Sequence, residues 1–130
     1  MLFQKKSSAP LSLPQSEREA IVDLLHLCLY ADSHISLKEG QFIADVVDVI
    51  GWDANLSFPV YESRSIAAAR VARGGGKEKQ DFLSFAAERL QSPEGRLLAV
   101  ELCRDLAAAD GTVQREATVI GEIVKALDAR

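Results

Sequence analysis

Apolar residues recur at helical spacing along most of the chain. Ile21, Leu24, Leu25 and Cys28 stand at i, i+3, i+4 and i+7, which predicts a first helix ending near Ala31. Ser16-Glu17-Arg18-Glu19 has the form of a capping box at its start: the Ser16 hydroxyl can accept from the Glu19 backbone, and Glu19 can reach back. Ser36-Leu37-Lys38-Glu39 repeats that pattern and opens a second helix with Phe42, Ile43, Val46, Val47 and Ile50 on one stripe. Asp45 and Asp48 lie on its other face, and Gly51 supplies a stop. The many β-branched residues here would suit a strand, but their spacing is helical.

The connection from Trp52 to Pro59 leads to a third, weakly amphipathic helix from Val60 to Arg73. Gly74-Gly75-Gly76 ends it, as a flexible joint or a sharp reversal. A fourth helix, Lys77 to Gln91, places Phe82, Phe85, Ala86 and Leu90 toward the core. Ser92-Pro93 pairs an N-cap with a proline at the first helical position, and a fifth helix follows to Ala109. The sixth starts near Val113 and buries Ile120, Ile123, Val124 and Leu127. No segment combines strand alternation with hairpin signals. The expected fold is all-α: a single helical bundle of about six helices over residues 15–130, preceded by a tail at 1–14.

The last two helices echo the first two. Leu27 to Glu39 and Leu106 to Glu116 each read as an apolar helix end, an Asp at a corner, a β-branched residue three positions later and then a Glu. In register, Asp23 pairs with Glu101, Leu24 with Leu102, Leu25 with Cys103, His26 with Arg104 and Ile35 with Val113. After a one-residue deletion in the second corner, Glu39 meets Glu116, Ile43 meets Ile120, Asp45 meets Glu122 and Ile50 meets Leu127. Duplication of a helix–corner–helix unit explains this, and chance likeness between amphipathic helices is the alternative. A duplicated pair must pack on its copy, with helices three and four closing the bundle.

Ala31-Asp32-x-x-Ile35-Ser36-x-x-Glu39 and Ala109-Asp110-Gly111-x-Val113 followed by Glu116 resemble the TerB-like family, which includes tellurite-resistance proteins and the N-terminal region of DjlA co-chaperones. The likeness runs from about Ser16 to Ala129. It implies an all-helical fold, a divalent metal at the acidic corners and a role in tellurite, metal or envelope-stress response. Two departures weaken such a site: Ser33-His34 replaces the usual Gly-Glu type pair, and Glu116 comes one position early.

The corners have their own physical logic. Asp32 and Asp110 follow helix ends, where the carbonyls carry partial negative charge and disfavour a carboxylate. Either the Asp caps the next helix, with Glu39 completing the capping box, or a cation sits between the Asp, nearby carbonyls and a Glu, which makes Asp32, Glu39, Asp110 and Glu116 the candidate ligands. Oxygen donors of this kind suit Ca²⁺ or Mg²⁺. Neither corner is an EF-hand loop, because His34 and Ser36 occupy its third and fifth positions and no Glu closes it at the twelfth. His34 reads as an exposed corner residue, and His26 as a residue on a helix boundary face outside any catalysis.

Composition narrows the partners. Of 130 residues, 48% are hydrophobic and 26% charged, an ordinary globular balance. The net charge of -4 opposes a general nucleic-acid binder, although Arg64, Arg70, Arg73, Lys77 and Lys79 make a local cationic surface, either solvated or anion-binding. A phosphate loop is excluded there, since Val71 stands at its first glycine and Glu78 at its Ser/Thr. Cys28 and Cys103 read as buried thiols, with a disulfide as the alternative. No signal-peptide run and no apolar stretch near the roughly 20 residues of a membrane span occurs, so a cytoplasmic location is expected, with peripheral membrane attachment left open. No nucleophile elbow, reactive Cys–His pair or zinc-hydrolase motif is present, and no enzyme is expected. The alternative to cation binding is a protein–protein interaction module, and a homodimer is open.

Overall fold

The computed structural model describes residues 13–31, 37–109 and 114–128, leaving aside the side chains of 31, 37–39, 109 and 114–117. Within them the chain forms α1 (Gln15–Ala31), α2 (Leu37–Ile50), α3 (Phe58–Ala72), α4 (Gly76–Arg89), α5 (Pro93–Ala109) and α6 (Gln114–Asp128), with no strand among the described residues. None of these helices is long and apolar enough to cross a membrane.

The fold is organised by α1. Eight of the ten residues from Ala20 to Leu29 are apolar, and all ten are buried. Ten residues span nearly three turns, so every side of the helix is covered. The other five helices all pack against it. Ile21, Leu24, Leu25 and Leu27 of α1 meet Ile43 and Ile50 of α2, Leu102 and Leu106 of α5, and Ile123 of α6 in one continuous core. Leu13, just ahead of α1, is buried in the same core.

Helix boundaries follow local chemistry. Gly51 ends α2, its N–H bonded to the Val47 carbonyl at 2.9 Å and its φ at +88°. Ser57 caps α3 by accepting from the Val60 N–H, and Pro59 occupies the first turn. Gly75 and Gly76, at φ +89° and +69°, turn the chain sharply from α3 into α4. Of the two readings of the triple glycine, the structure selects the reversal. Ser92 caps α5, accepting from the Gly95 N–H at 2.9 Å.

Three expectations are corrected. First, α1 starts at Gln15, so Ser16 lies inside the first turn and is exposed instead of capping it. The Pro14 carbonyl receives the Glu17 and Arg18 N–H groups there. Second, Phe85 is 56% exposed, because the buried stripe of α4 is Leu83, Ala86, Ala87 and then Leu90. The Arg89 guanidinium lies 3.8 Å from the Phe85 ring centroid. Third, His26 is on no boundary face: it is 1% exposed on the central helix.

α1 and α5 run in the same direction. The start of α5 is bonded to the start of α1, through Gln91 and Ser92 on Glu17, and the two helices then pack along one another. Both have 17 residues, so Ala31 and Ala109 fall at the same end of the bundle. α3 and α4 form a hairpin laid against α1, with α4 also touching α6.

Candidate functional site

A helix covered on every side leaves its polar residues no water. α1 carries three such residues among those buried, and each is met by a different arrangement. Glu17, 3% exposed, accepts from the Gln91 N–H at 3.1 Å, the Ser92 N–H at 2.9 Å and the Ser92 hydroxyl at 2.8 Å. Its negative charge lies at the N-terminus of α5, where the helix dipole favours it.

Asp23 and His26, one turn apart, face the α3–α4 hairpin. One oxygen of Asp23 accepts from the Ser65 hydroxyl at 2.6 Å and from the Tyr61 hydroxyl at 2.9 Å. The other accepts from Arg89 Nη2 at 2.6 Å in an ion pair whose side chains are 8% and 11% exposed. Arg89 Nη1 also donates to the Tyr61 oxygen at 3.3 Å. Burial, and next the Asp23 charge, push the Tyr61 phenol well above its ordinary pKa.

The proton positions around His26 follow from this. Ser65 gives its only proton to Asp23, so its oxygen can only accept from His26 Nδ1, 2.8 Å away. Neutral His26 therefore carries its proton on Nδ1 and a lone pair on Nε2. That nitrogen is buried without a hydrogen-bond partner. The Glu62 carboxylate oxygen Oε2 lies 3.7 Å from it. Burial pulls the His26 pKa down to about 4 against a smaller raising effect of Asp23, and burial also lifts the Glu62 carboxyl.

Ser65, His26 and Asp23 share the residue types of a hydrolytic triad, but in the wrong order. The histidine donates to the serine instead of taking its proton, and Ser65 is only 3% exposed. The cluster binds helices together; it does not present a nucleophile to a substrate.

None of the four acids singled out by sequence has a described side chain. Asp32 and Asp110 are outside the described residues, as is His34, and for Glu39 and Glu116 only the helical backbone is described. Among the described residues no group of three or more His, Cys, Asp or Glu could hold a metal ion. The cationic surface is partly neutralised, since Lys77 pairs with Asp81 and Lys79 with Glu122; Arg73 keeps its charge and donates to the Tyr30 carbonyl at 3.2 Å. Arg64 and Arg70 are exposed. Cys28 and Cys103 are buried and form no disulfide.

Sequence reasoning missed the Asp23–His26 cluster, although a signal was present. Two polar residues three apart inside the apolar run from Ala20 to Leu29 mark buried polar groups that require partners. Fold and cluster together define an all-α bundle threaded by one buried helix. Comparisons with protein-family models, curated proteins and solved structures find no match.

Proposed function

We propose that the chain is a non-enzymatic, TerB-like helical domain that holds a divalent cation, Ca²⁺ or Mg²⁺, at two acidic corners. The supporting observation is the parallel packing of α1 and α5, which brings Ala31 and Ala109 to one end of the bundle. Asp32 and Asp110 follow those residues directly in the chain, and Glu39 and Glu116 fall in the first turns of α2 and α6. Two carboxylates following the carbonyl ends of neighbouring helices concentrate negative charge, which a hard cation relieves. A role in tellurite, other metal or envelope-stress response rests on the resemblance alone. Calorimetric titration of Ca²⁺ or Mg²⁺ into chelator-stripped protein tests the reading. Binding heat and a raised melting temperature, both lost in the Asp32→Asn/Asp110→Asn double variant, support it; neither heat nor a melting shift removes it.

A second reading, an interaction module without a metal role, draws on the outer face of α3. Val60, Ala67, Ala68 and Val71 are all exposed there, Val60 at 58% and Val71 at 61%. Partner capture that survives the double corner variant and fails with Val60→Lys/Val71→Lys favours this reading.

A further inference from the structure

We propose that the chain associates head to tail, the outer face of α3 in one copy docking antiparallel on the outer face of α5 in the next. This rests on the interaction-module reading above and names a second copy of the chain as the partner. It is independent of the acidic corners.

The two faces are complementary in shape. On α3, Val60 and Val71 stand 58% and 61% exposed, with the small residues Ala67 and Ala68 exposed between them. Two protruding valines with alanines between them leave a shallow depression about 16 Å long. On α5 the large apolar side chain left in water is Leu97, also 61% exposed. Alanines at a contact let a second helix approach closely, so Leu97 can seat between the valines.

Charge selects the partner. The α3 face carries Arg64 and Arg70, both exposed, and neither guanidinium has an ion-pair partner among the described residues. The α5 face carries Glu94 and Glu101, equally exposed and equally unpaired among those residues. Burial, and next the Glu101 charge, lift the carboxyl of Asp105 one turn on, as uncompensated negative charge does. The spacings also match. Arg64 and Arg70 lie about 9 Å apart along their helix with Ala67 midway, and Glu94 and Glu101 about 10 Å apart with Leu97 between them. With the helices antiparallel and Leu97 over Ala67, Glu101 comes level with Arg64 and Glu94 with Arg70. Arg104 then falls level with Val60, past both arginines.

The same charges oppose the symmetric alternatives. α3 laid antiparallel on α3 sets Arg64 against Arg70, and α5 on α5 sets Glu94 against Glu101. Within one molecule the faces cannot meet, because α3 and α5 both pack on α1 and not on each other. The contact is therefore heterologous: each copy offers one face, leaves the other open, and growth continues past a dimer. A single helix pair buries less than the roughly 1,200 Å² of a stable complex, so the association is weak, on the order of 100 μM.

Sedimentation velocity from about 10 μM to about 1 mM protein tests this. At low salt the mean mass of the wild type is expected to climb with concentration past that of a dimer, and about 0.5 M salt should weaken the association roughly tenfold. Arg64→Glu/Arg70→Glu and Glu94→Lys/Glu101→Lys should each be monomeric. An equal mixture of the two should associate again, since each reversed face then meets an opposite one, a rescue that misfolding would not give. Leu97→Ala leaves every charge in place and should weaken association about tenfold. A wild type that stays monomeric across the range overturns the proposal, as does a mass that stops at a dimer or a mixture that fails to associate. If a monomeric wild type still captures another protein through α3, the interaction-module reading stands without this one.

Discussion

Glu17 and Ser92, 75 residues apart, are joined twice: the Glu17 carboxylate accepts both the backbone N–H and the hydroxyl of Ser92. The Ser92 oxygen in turn accepts from the Gly95 N–H, so one buried carboxylate organises the whole first turn of α5. This junction fixes α5 parallel to α1.

Removing that carboxylate should therefore cost far more than a surface change. Glu17→Ala leaves two backbone donors and a hydroxyl unpaired and is expected to destabilise the fold by about 3 kcal/mol. Gly95→Ala should destabilise by about 2 kcal/mol for a steric reason, because a Cβ there runs into the Glu17 carboxylate. The two costs should not add, since Glu17→Ala vacates the space the new methyl needs. Urea denaturation of both single variants and the double variant measures this, and full additivity contradicts it.

Asp23 and Arg89 predict a second asymmetry. Their ion pair is buried, and Asp23 also receives Tyr61 and Ser65. Asp23→Ala leaves the guanidinium without its anion and two hydroxyls without an acceptor, for a loss of about 3–5 kcal/mol. Ser65→Ala removes one bond to Asp23 and one to His26 and should cost about 1–2 kcal/mol. Unfolding followed by Trp52 fluorescence is a suitable readout, because this single tryptophan packs edge-on against Phe58, at 5.0 Å between centroids, and near Tyr61.

What was legible in sequence divides along the same line. The stop at Gly51, the cap at Ser92-Pro93 and the stripe of Phe42, Ile43, Val46 and Ile50 depend on residues within a turn of one another, so spacing alone reveals them. Phe85 was misplaced because α4 carries two overlapping stripes. The choice between them is tied to Arg89 reaching Asp23, 66 residues away. His26 was misjudged by alignment with Arg104, an exposed residue of α5, although α1 is buried on every side and α5 is not. Tyr61, Ser65 and Arg89 have no spacing that links them to Asp23; only the docked hairpin brings them together.

The two lysine pairs of α4 should behave differently. Lys77 and Asp81 are both highly exposed, and Lys77→Ala should leave the denaturation midpoint unchanged. Lys79, 17% exposed, reaches across to Glu122 and ties α4 to α6. Lys79→Ala should cost roughly 0.5–1 kcal/mol, less at 1 M salt where the ion pair is screened. Denaturation curves at low and high salt check both expectations.

Global stability should fall in mild acid because of His26. A histidine whose pKa is lowered by folding binds its proton more readily in the unfolded chain. Its contribution is fully present above about 6.5, is lost as the pH falls from there and levels off below about 4. The full span corresponds to about 3 kcal/mol. Glu62 acts in the opposite direction, since its raised pKa makes the folded state the better proton acceptor just above the ordinary carboxylate range. It is exposed enough that its effect should be the smaller one. Stability measured by urea denaturation from pH 7.5 to 4 should therefore decline steadily below about 6.5. In His26→Gln the decline over that interval should flatten to the residue left by the carboxylates, and an unchanged slope would show that His26 is not the group responsible.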